Sequence, residues 1–286
     1  MINYFDNSLR SSPLNFIVIR IVVGVYAIWK LVSYDFELLE KWPRYFFENH
    51  QHGVLLAHPW VLQWIEIEVG IVIIMLIGFM IGYRLGIVTF IAALLLSHLT
   101  AMHYIVTNSG ATFLPTIYLL ILWGLYRDTD PYQIGKSKSE LEADEFDFSI
   151  LKWFLLIVGA SYFFTGYVKV TSAFSAWLNW RNLALLIHRE ALMHLEVLPS
   201  LGAWLLNYPT LLWVSSIGTL FLELGFLIVI LLRKIPLWPF LIGLFGFHAI
   251  IALAMNIFFF DQYILLALFL PWDEWIQPYL DRRNLA

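Results

Sequence analysis

The sequence predicts an all-α, polytopic membrane protein: a helical bundle of about eight transmembrane helices with amphipathic interfacial helices. Apolar residue types make up 60% of the chain and charged residues only 13%, whereas soluble domains carry about 25% charged residues. Several apolar runs approach or exceed the ~20 residues that a helix needs to cross a bilayer. The chain has no cysteine, which excludes disulfides, thiolate metal sites and cysteine nucleophiles.

Eight apolar runs are the predicted spans, with approximate bounds of 14–35, 60–82, 85–104, 110–126, 149–170, 209–232, 236–256 and 259–272. The first run lacks the flanking pattern of a cleaved signal peptide, so we expect it to be retained as a helix. Two semi-apolar connections, 37–59 and 175–204, are predicted to be amphipathic helices that lie in the membrane interface.

The two halves of the chain carry the same polar features in the same order. Each half has a lysine in its first helix, Glu-x-Gly in its second, a histidine in its third and polar residues before its fourth. The matched residues are Lys30 and Lys169, Glu68 and Glu223, His98 and His248, and Asn108 and Asp261. This order predicts a single domain, 1–286, built from two four-helix repeats of like orientation, 1–130 and 149–275, with a hydrophilic cytoplasmic linker at 127–149.

The distribution of lysine and arginine predicts the orientation in the membrane. With eight crossings, ten of these residues fall on the side of both termini and four on the other side. Because cytoplasmic loops carry the excess of positive charge, we predict a cell-membrane protein with both termini in the cytoplasm. The net charge of −4 and the lack of a basic stripe argue against nucleic acid as a partner. Membrane lipid is the expected partner of the exposed helix surfaces.

Three cationic residues lie in or near the predicted spans, where charge is costly. Arg20, about a turn and a half into the first helix, is expected to extend to the cytoplasmic interface. Lys30 and Lys169 lie near the outer ends of their helices, where each could extend to water. If either lysine faces the bundle interior instead, burial disfavours its charged form and makes the amine a candidate general base.

The glutamates and histidines of the spans have two interpretations each. Glu68 and Glu223 are either structural ion-pair partners or groups that exchange protons. His98 and His248 are either neutral, hydrogen-bonded side chains or proton shuttles. No histidine spacing typical of a metal site is present, so we predict no metal. The predicted topology places most of these groups toward the extracytoplasmic face, with Glu223 nearer the midplane.

Three passages resemble a known family: "NFIVIRIVVGVY", "YFFTGYVKV" followed by "WLNWRNLALLI", and "FHAIIALAMNIFFFDQYILLALFLPW". They are similar to the horizontally transferred transmembrane domain, which is shared with the vitamin K-dependent gamma-carboxylases, over roughly residues 8–275. The carboxylase motif YF-x-x-G-x-x-K is matched by Tyr162, Phe163, Gly166 and Lys169. A weaker similarity is to DoxX-like membrane proteins associated with quinone chemistry.

The resemblance implies that Lys169 is a base toward a vitamin K hydroquinone and that the chemistry takes place at the outer face of the membrane. Two departures weaken the analogy. The large extramembrane domain that binds the carboxylases' peptide substrate is not found up to Ala286, and the family's catalytic histidine follows an asparagine, whereas here Ser109 follows Asn108.

Two functions of different classes follow. The first is an enzyme or catalytic membrane subunit acting on a lipophilic, quinone-like substrate or on a peptide, with a quinone or hydroquinone as the one candidate cofactor. Its catalytic candidates are Lys169, His98, His248, Glu68 and Glu223; Lys30, Asn108, Tyr162 and Asp261 are candidates for substrate binding. The alternative is a non-catalytic transport, maturation or anchoring subunit with a partner membrane or secreted protein, in which the polar residues only hold helices together.

Overall fold

The computed structural model describes residues 13–34, 64–107, 113–127, 130, 132–134, 149–193, 200–232 and 237–255, with the single residues 264, 276 and 278. Nine helices occur within these ranges: α1 Pro13–Val32, α2 Ile65–Ile81, α3 Leu85–Thr107, α4 Leu114–Leu125, α5 Ser149–Trp177, α6 Trp180–Met193, α7 Ser200–Leu205, α8 Pro209–Leu232 and α9 Trp238–Met255. The predicted all-α class is confirmed for this part of the chain, whose only β-type pairing is an isolated bridge between Tyr83 and Ile134.

Among the described residues, four helices are long and apolar enough to cross a membrane, and their apolar stretches are Leu85–Met102, Ile150–Ser172, Pro209–Leu232 and Trp238–Met255. Helices α1, α2 and α4 coincide with three more of the predicted spans, whose crossing of the membrane remains a prediction. The predicted span 259–272 and the interfacial segment 37–59 lie outside the described residues, apart from Ile264. The interfacial segment 175–204 corresponds to α6 and α7.

The described chain divides into two compact units, with the boundary between Phe154 and Leu155. The N-terminal unit contains α1–α4 and the first residues of α5. The C-terminal unit contains the rest of α5 and α6–α9. The boundary lies a few residues inside the second predicted repeat; the duplication itself remains a prediction.

Successive helices pack against one another in the N-terminal unit: α1 on α2, α2 on α3 and α3 on α4. Trp123 is fully buried between the edges of Phe16 and Phe79, with ring centroids 5.6 and 5.3 Å away. Such edge-to-face aromatic contacts contribute beyond the area that they bury. The turn between α2 and α3 needs glycine at position 82, because the φ angle there is 79° and side chains are disfavoured in this region.

Helix α8 packs against α6, α7 and α9 in the C-terminal unit. A buried apolar cluster joins the start of α8 to α6 and to the end of α9; its members are Ala184, Ile187, Leu212, Ala254 and Met255. Glycines allow close contact between α8 and α9, since a Cβ atom at Gly225 would lie 2.8 Å from the ring of Phe240 and one at Gly243 would lie 2.7 Å from Leu222. Small residues are the usual device for close helix packing in membranes.

Candidate functional site

Lys169 of α5 and Glu223 of α8 form an ion pair inside the C-terminal unit. Lys169 Nζ donates a hydrogen bond to Glu223 Oε1 at 2.5 Å, and the two side chains are 15% and 4% exposed. The ammonium also lies 4.4 Å from the centroid of the Trp177 ring, a distance at which the aromatic face attracts a cation. Lys169 therefore turns toward a carboxylate and an aromatic ring, and does not extend away from the helices.

The spacing of residues on α5 explains this orientation. Tyr162, Gly166 and Lys169 are four and three residues apart, which places them on one face of the helix. Gly166 has no side chain to separate the helices, and a Cβ atom there would lie 3.0 Å from Glu223 Cβ. The Tyr162 ring meets the Phe226 ring edge-on, with centroids 5.7 Å apart. This face of α5 therefore lies antiparallel against the Glu223 face of α8.

The two carboxylate oxygens of Glu223 differ in their hydrogen bonding. Oε1 accepts the bond from Lys169, whereas Oε2 is buried and has no hydrogen-bond partner among the residues that the structure describes. A buried polar atom without a partner is costly and calls for an explanation, such as a proton, a water molecule or a bound group. An acceptor beside a lysine amine is suited to a ligand that carries a hydroxyl group.

Tyr162 and His248 make a second polar contact in this unit. The hydroxyl of Tyr162 shares a 2.8 Å hydrogen bond with His248 Nε2 of α9, and both side chains are buried. The two positions on α5, 162 and 169, are separated by two helical turns, or about 10 Å along the axis. The structure thus joins His248 to Tyr162, a pairing that the sequence did not predict.

The matched residues of the N-terminal unit have different partners. His98 Nδ1 contacts both carboxylate oxygens of Glu68, at 2.8 and 2.9 Å, and both side chains are partly buried. Lys30 Nζ donates to the hydroxyl of Tyr26, one turn earlier on α1, at 3.1 Å and lies 5.1 Å from the centroid of the Phe113 ring. The glutamate thus pairs with a histidine in one unit and with a lysine in the other.

The Glu-x-Gly glycines also differ between the units. A Cβ atom at Gly70 would meet nothing within 4 Å, whereas Gly225 packs against the Phe240 ring. The shared motif therefore does not produce the same helix contact in both places.

Arg20 reaches the linker that is predicted to be cytoplasmic, but it does not reach water as expected. Its side chain is only 2% exposed, and Nη1 donates to Asp130 Oδ2 at 3.0 Å and to the Tyr132 carbonyl at 3.1 Å. Asp130 Oδ2 also accepts a bond from Trp123 Nε1 at 2.9 Å. The arginine stays inside because the first residues of the hydrophilic linker pack against the N-terminal unit and supply a buried carboxylate.

Two predicted substrate-binding residues, Asn108 and Asp261, lie outside the described residues. Within the described ranges, no group of three or more His, Cys, Asp or Glu side chains is arranged to hold a metal ion. Two participants were missed at the sequence level: Trp177, which contacts Lys169, and Asp130, which pairs with Arg20. Trp177 is one of thirteen tryptophans, and Asp130 lies in a segment whose polarity predicts exposure.

Comparison with known proteins identifies no relative, because no family model, curated protein or solved structure matches this chain. The resemblance to the horizontally transferred transmembrane family rests on the sequence passages alone and remains a prediction.

Proposed function

We propose that this chain is a multi-pass membrane protein that catalyses proton transfer on a lipophilic, hydroxyl-bearing substrate, with Lys169 as the base. The single observation that carries the proposal is the buried pair of Lys169 and Glu223, in which the second carboxylate oxygen has no described partner. A lysine that served only as an interfacial anchor would gain nothing from turning inward, because exposed lysines reach water at little cost.

The pair has the chemistry that a base requires. A hydrogen-bonded lysine and glutamate can exist in two protonation states. One is an ion pair of ammonium and carboxylate; the other, in which the proton has moved to the glutamate, is a neutral amine beside a carboxylic acid. In an apolar surrounding the ion pair loses the hydration that favours it in water, so the two arrangements come closer in free energy than they are in water. A neutral amine held in place can then accept a proton from a bound substrate.

A hydroquinone is the substrate class that fits these groups and the resemblance described above. Its hydroxyl groups supply the hydrogen-bond donors that an amine base and an unpartnered carboxylate oxygen can accept. Glu223 would receive or return the proton, and Trp177 would limit the positions that the Lys169 amine adopts. The Tyr162–His248 pair, two turns away on α5, would serve as a second group able to carry a proton. The proposal also includes the orientation predicted from the sequence, with both termini in the cytoplasm and the chemistry at the outer face of the cell membrane. A peptide is the alternative substrate.

The non-catalytic alternative has its own supporting observation. The Arg20–Asp130–Trp123 network is fully buried and ties the start of the linker to the N-terminal unit, which is how polar groups behave when they only hold a bundle together. A transport, maturation or anchoring subunit would use the Lys169–Glu223 pair in the same way. The two functions make different predictions for a variant that lacks the Lys169–Glu223 pair but still folds. The catalytic function predicts that this variant no longer transfers a proton from the substrate, whereas the non-catalytic function predicts no such loss.

An anaerobic titration with vitamin K hydroquinone in lipid nanodiscs separates the two functions. Removing Lys169 alone would leave Glu223 as an unpaired buried charge, so the informative variant is the neutral double substitution Lys169→Met/Glu223→Gln. The wild-type protein should produce the absorbance of the hydroquinone anion in proportion to bound ligand, and the double variant should not, although its melting temperature stays close to the wild-type value. Lys152→Met, at an exposed lysine of the same helix, is the matched control and should behave as wild type.

Two results would contradict the proposal: a wild-type protein that yields no hydroquinone anion, or a folded double variant that yields as much as the wild type. Either result would favour the non-catalytic function.

A further inference from the structure

Helices α5 and α8 pack with a regular antiparallel register. Three contacts define it, and the facing residues are Gly159 and Ile230, Tyr162 and Phe226, and Gly166 and Glu223. Each step of three or four residues forward along α5 is therefore matched by a step of three or four residues back along α8. The next step brings Lys169 level with Thr219 and Leu220, one turn before Glu223.

Thr219 shares the buried face of α8 with Glu223. The two positions are four residues apart, and both residues are buried. Long side chains of a helix extend toward its N-terminus, so the carboxylate of Glu223 extends toward the turn that holds Thr219. The register and the side-chain direction thus agree in placing the Thr219 hydroxyl beside the Lys169–Glu223 pair.

The hydroxyl of Thr219 can only accept a further hydrogen bond. Its own proton is donated to the Ser215 carbonyl at 2.8 Å, which leaves the lone pairs of Oγ1. Glu223 Oε2 is also only an acceptor while the carboxylate is ionised, and it has no partner among the described residues. A proton on the carboxyl group makes that group a donor, and the Thr219 hydroxyl is then a matching acceptor.

A matching acceptor matters because of the way in which the neutral amine forms. A proton that moves from Lys169 Nζ to Glu223 Oε1 stays hydrogen-bonded to the amine. The lone pair of the amine is then occupied and cannot take a proton from a substrate. It is released when the carboxyl group rotates by half a turn and carries the protonated oxygen to the place of Oε2.

We propose that Thr219 is a positioning residue that accepts the hydrogen bond of protonated Glu223 after this rotation and so frees the Lys169 amine. The inference rests on the proposed function and assigns the proton path within it. One proton moves from Lys169 to Glu223, and a second moves from the substrate hydroxyl to Lys169. Lys169 ends as an ammonium and Glu223 as a neutral acid, while the substrate anion replaces the carboxylate as the counter-charge.

Infrared difference spectra and hydroquinone-anion absorbance, both measured on the full chain in lipid nanodiscs, test this assignment. Anaerobic addition of vitamin K hydroquinone to the wild type should produce the anion together with a carboxylic acid C=O band that Lys169→Met/Glu223→Gln lacks. Thr219→Val keeps the shape of the side chain but removes the acceptor. It should slow anion formation by about five- to tenfold, as expected for one lost hydrogen bond, and should move the band to higher wavenumber. Thr219→Ser keeps the hydroxyl and should restore both.

Ser216→Ala is the matched control. Ser216 is buried on the same face and donates to the Leu212 carbonyl at 3.0 Å, but it lies two turns from Glu223, so its loss should change neither the rate nor the band. The inference is overturned if folded Thr219→Val keeps the wild-type rate and band, or if Ser216→Ala alters them as much as Thr219→Val does. The proposed function survives either result, provided that the wild type forms the anion. A wild-type protein that forms no anion contradicts the proposed function and this inference together.

Discussion

Gly166 of α5 lies so close to Glu223 of α8 that a Cβ atom at position 166 would be 3.0 Å from the Cβ atom of Glu223. This close approach brings the two helices together one turn before Lys169, and the amine of Lys169 then reaches the carboxylate of Glu223 at 2.5 Å. The glycine of the YF-x-x-G-x-x-K stretch thus has a structural purpose that is independent of any resemblance.

Gly166→Ala should destabilise the protein, because the added methyl group would lie 3.0 Å from Glu223 Cβ and 3.0 Å from Leu224 Cγ, closer than ordinary van der Waals contact, and overpacking of this kind costs about 1–3 kcal/mol. Gly218→Ala is the matched control on α8, since a Cβ atom there meets nothing within 4 Å. The control should be neutral or slightly stabilising, because alanine favours a helix. Thermal unfolding in detergent measures both, and equal melting temperatures would contradict the close packing at Gly166.

Lys169→Met should destabilise the protein by about 3–5 kcal/mol, because it leaves the Glu223 carboxylate buried without its partner. Lys169→Met/Glu223→Gln should recover most of this loss, since the amide is neutral. Unfolding free energies of the wild type, both single variants and the double variant form a double-mutant cycle. Additive effects in that cycle would mean that the two side chains do not interact.

Tyr162→Phe should remove the hydrogen bond to His248 Nε2 and lower the free energy of unfolding by about 1 kcal/mol. Tyr167→Phe on the same helix is the matched control, because its ring is half exposed and surface changes usually stay within about 0.5 kcal/mol. If the proposed proton transfer uses this pair, Tyr162→Phe also slows formation of the hydroquinone anion. A Tyr162 variant with the stability of the control would show that the bond contributes nothing.

Arg20→Met should destabilise the protein by about 3–5 kcal/mol, because it removes one partner of a buried ion pair and the hydrogen bond from Arg20 Nη1 to Asp130 Oδ2. The remaining folded protein should form the hydroquinone anion at the wild-type level, because the described partners of Arg20 are Asp130 and Tyr132, and it contacts neither Lys169 nor Glu223 among the described residues. Stability and absorbance are measured on the same preparation. A folded Arg20→Met protein without the absorbance would show that the N-terminal network takes part in the chemistry.

Apolar runs predicted the helices well, because burial in lipid or protein demands long hydrophobic segments with internally satisfied backbones. The runs at 209–232 and 85–104 correspond closely to α8 and α3. The apolar runs also drew attention to Lys169, Glu223 and His248, since a lysine, a glutamate or a histidine within such a run is conspicuous; that they form a functional site stays a prediction.

The pairing of those residues could not be predicted. Each residue along a helix turns the side chain by about 100°, so a boundary that is uncertain by several residues leaves the facing direction undefined. Glu68 and Glu223 occupy matching places in the sequence, yet one meets His98 and the other Lys169. Asp130 was missed for a different reason: hydrophilicity predicts exposure, whereas a carboxylate with an arginine and an indole as partners can be buried completely.

Chemical rescue tests most directly the claim that Lys169 is a base. In Lys169→Ala, small primary amines added to the nanodiscs should restore formation of the vitamin K hydroquinone anion, and the rate should rise with the basicity of the amine, as general-base catalysis requires. Lys169→Met, which fills the space of the missing side chain, should show no rescue. A Lys169→Ala protein that is folded and binds the hydroquinone but gains no anion with any amine would contradict the account.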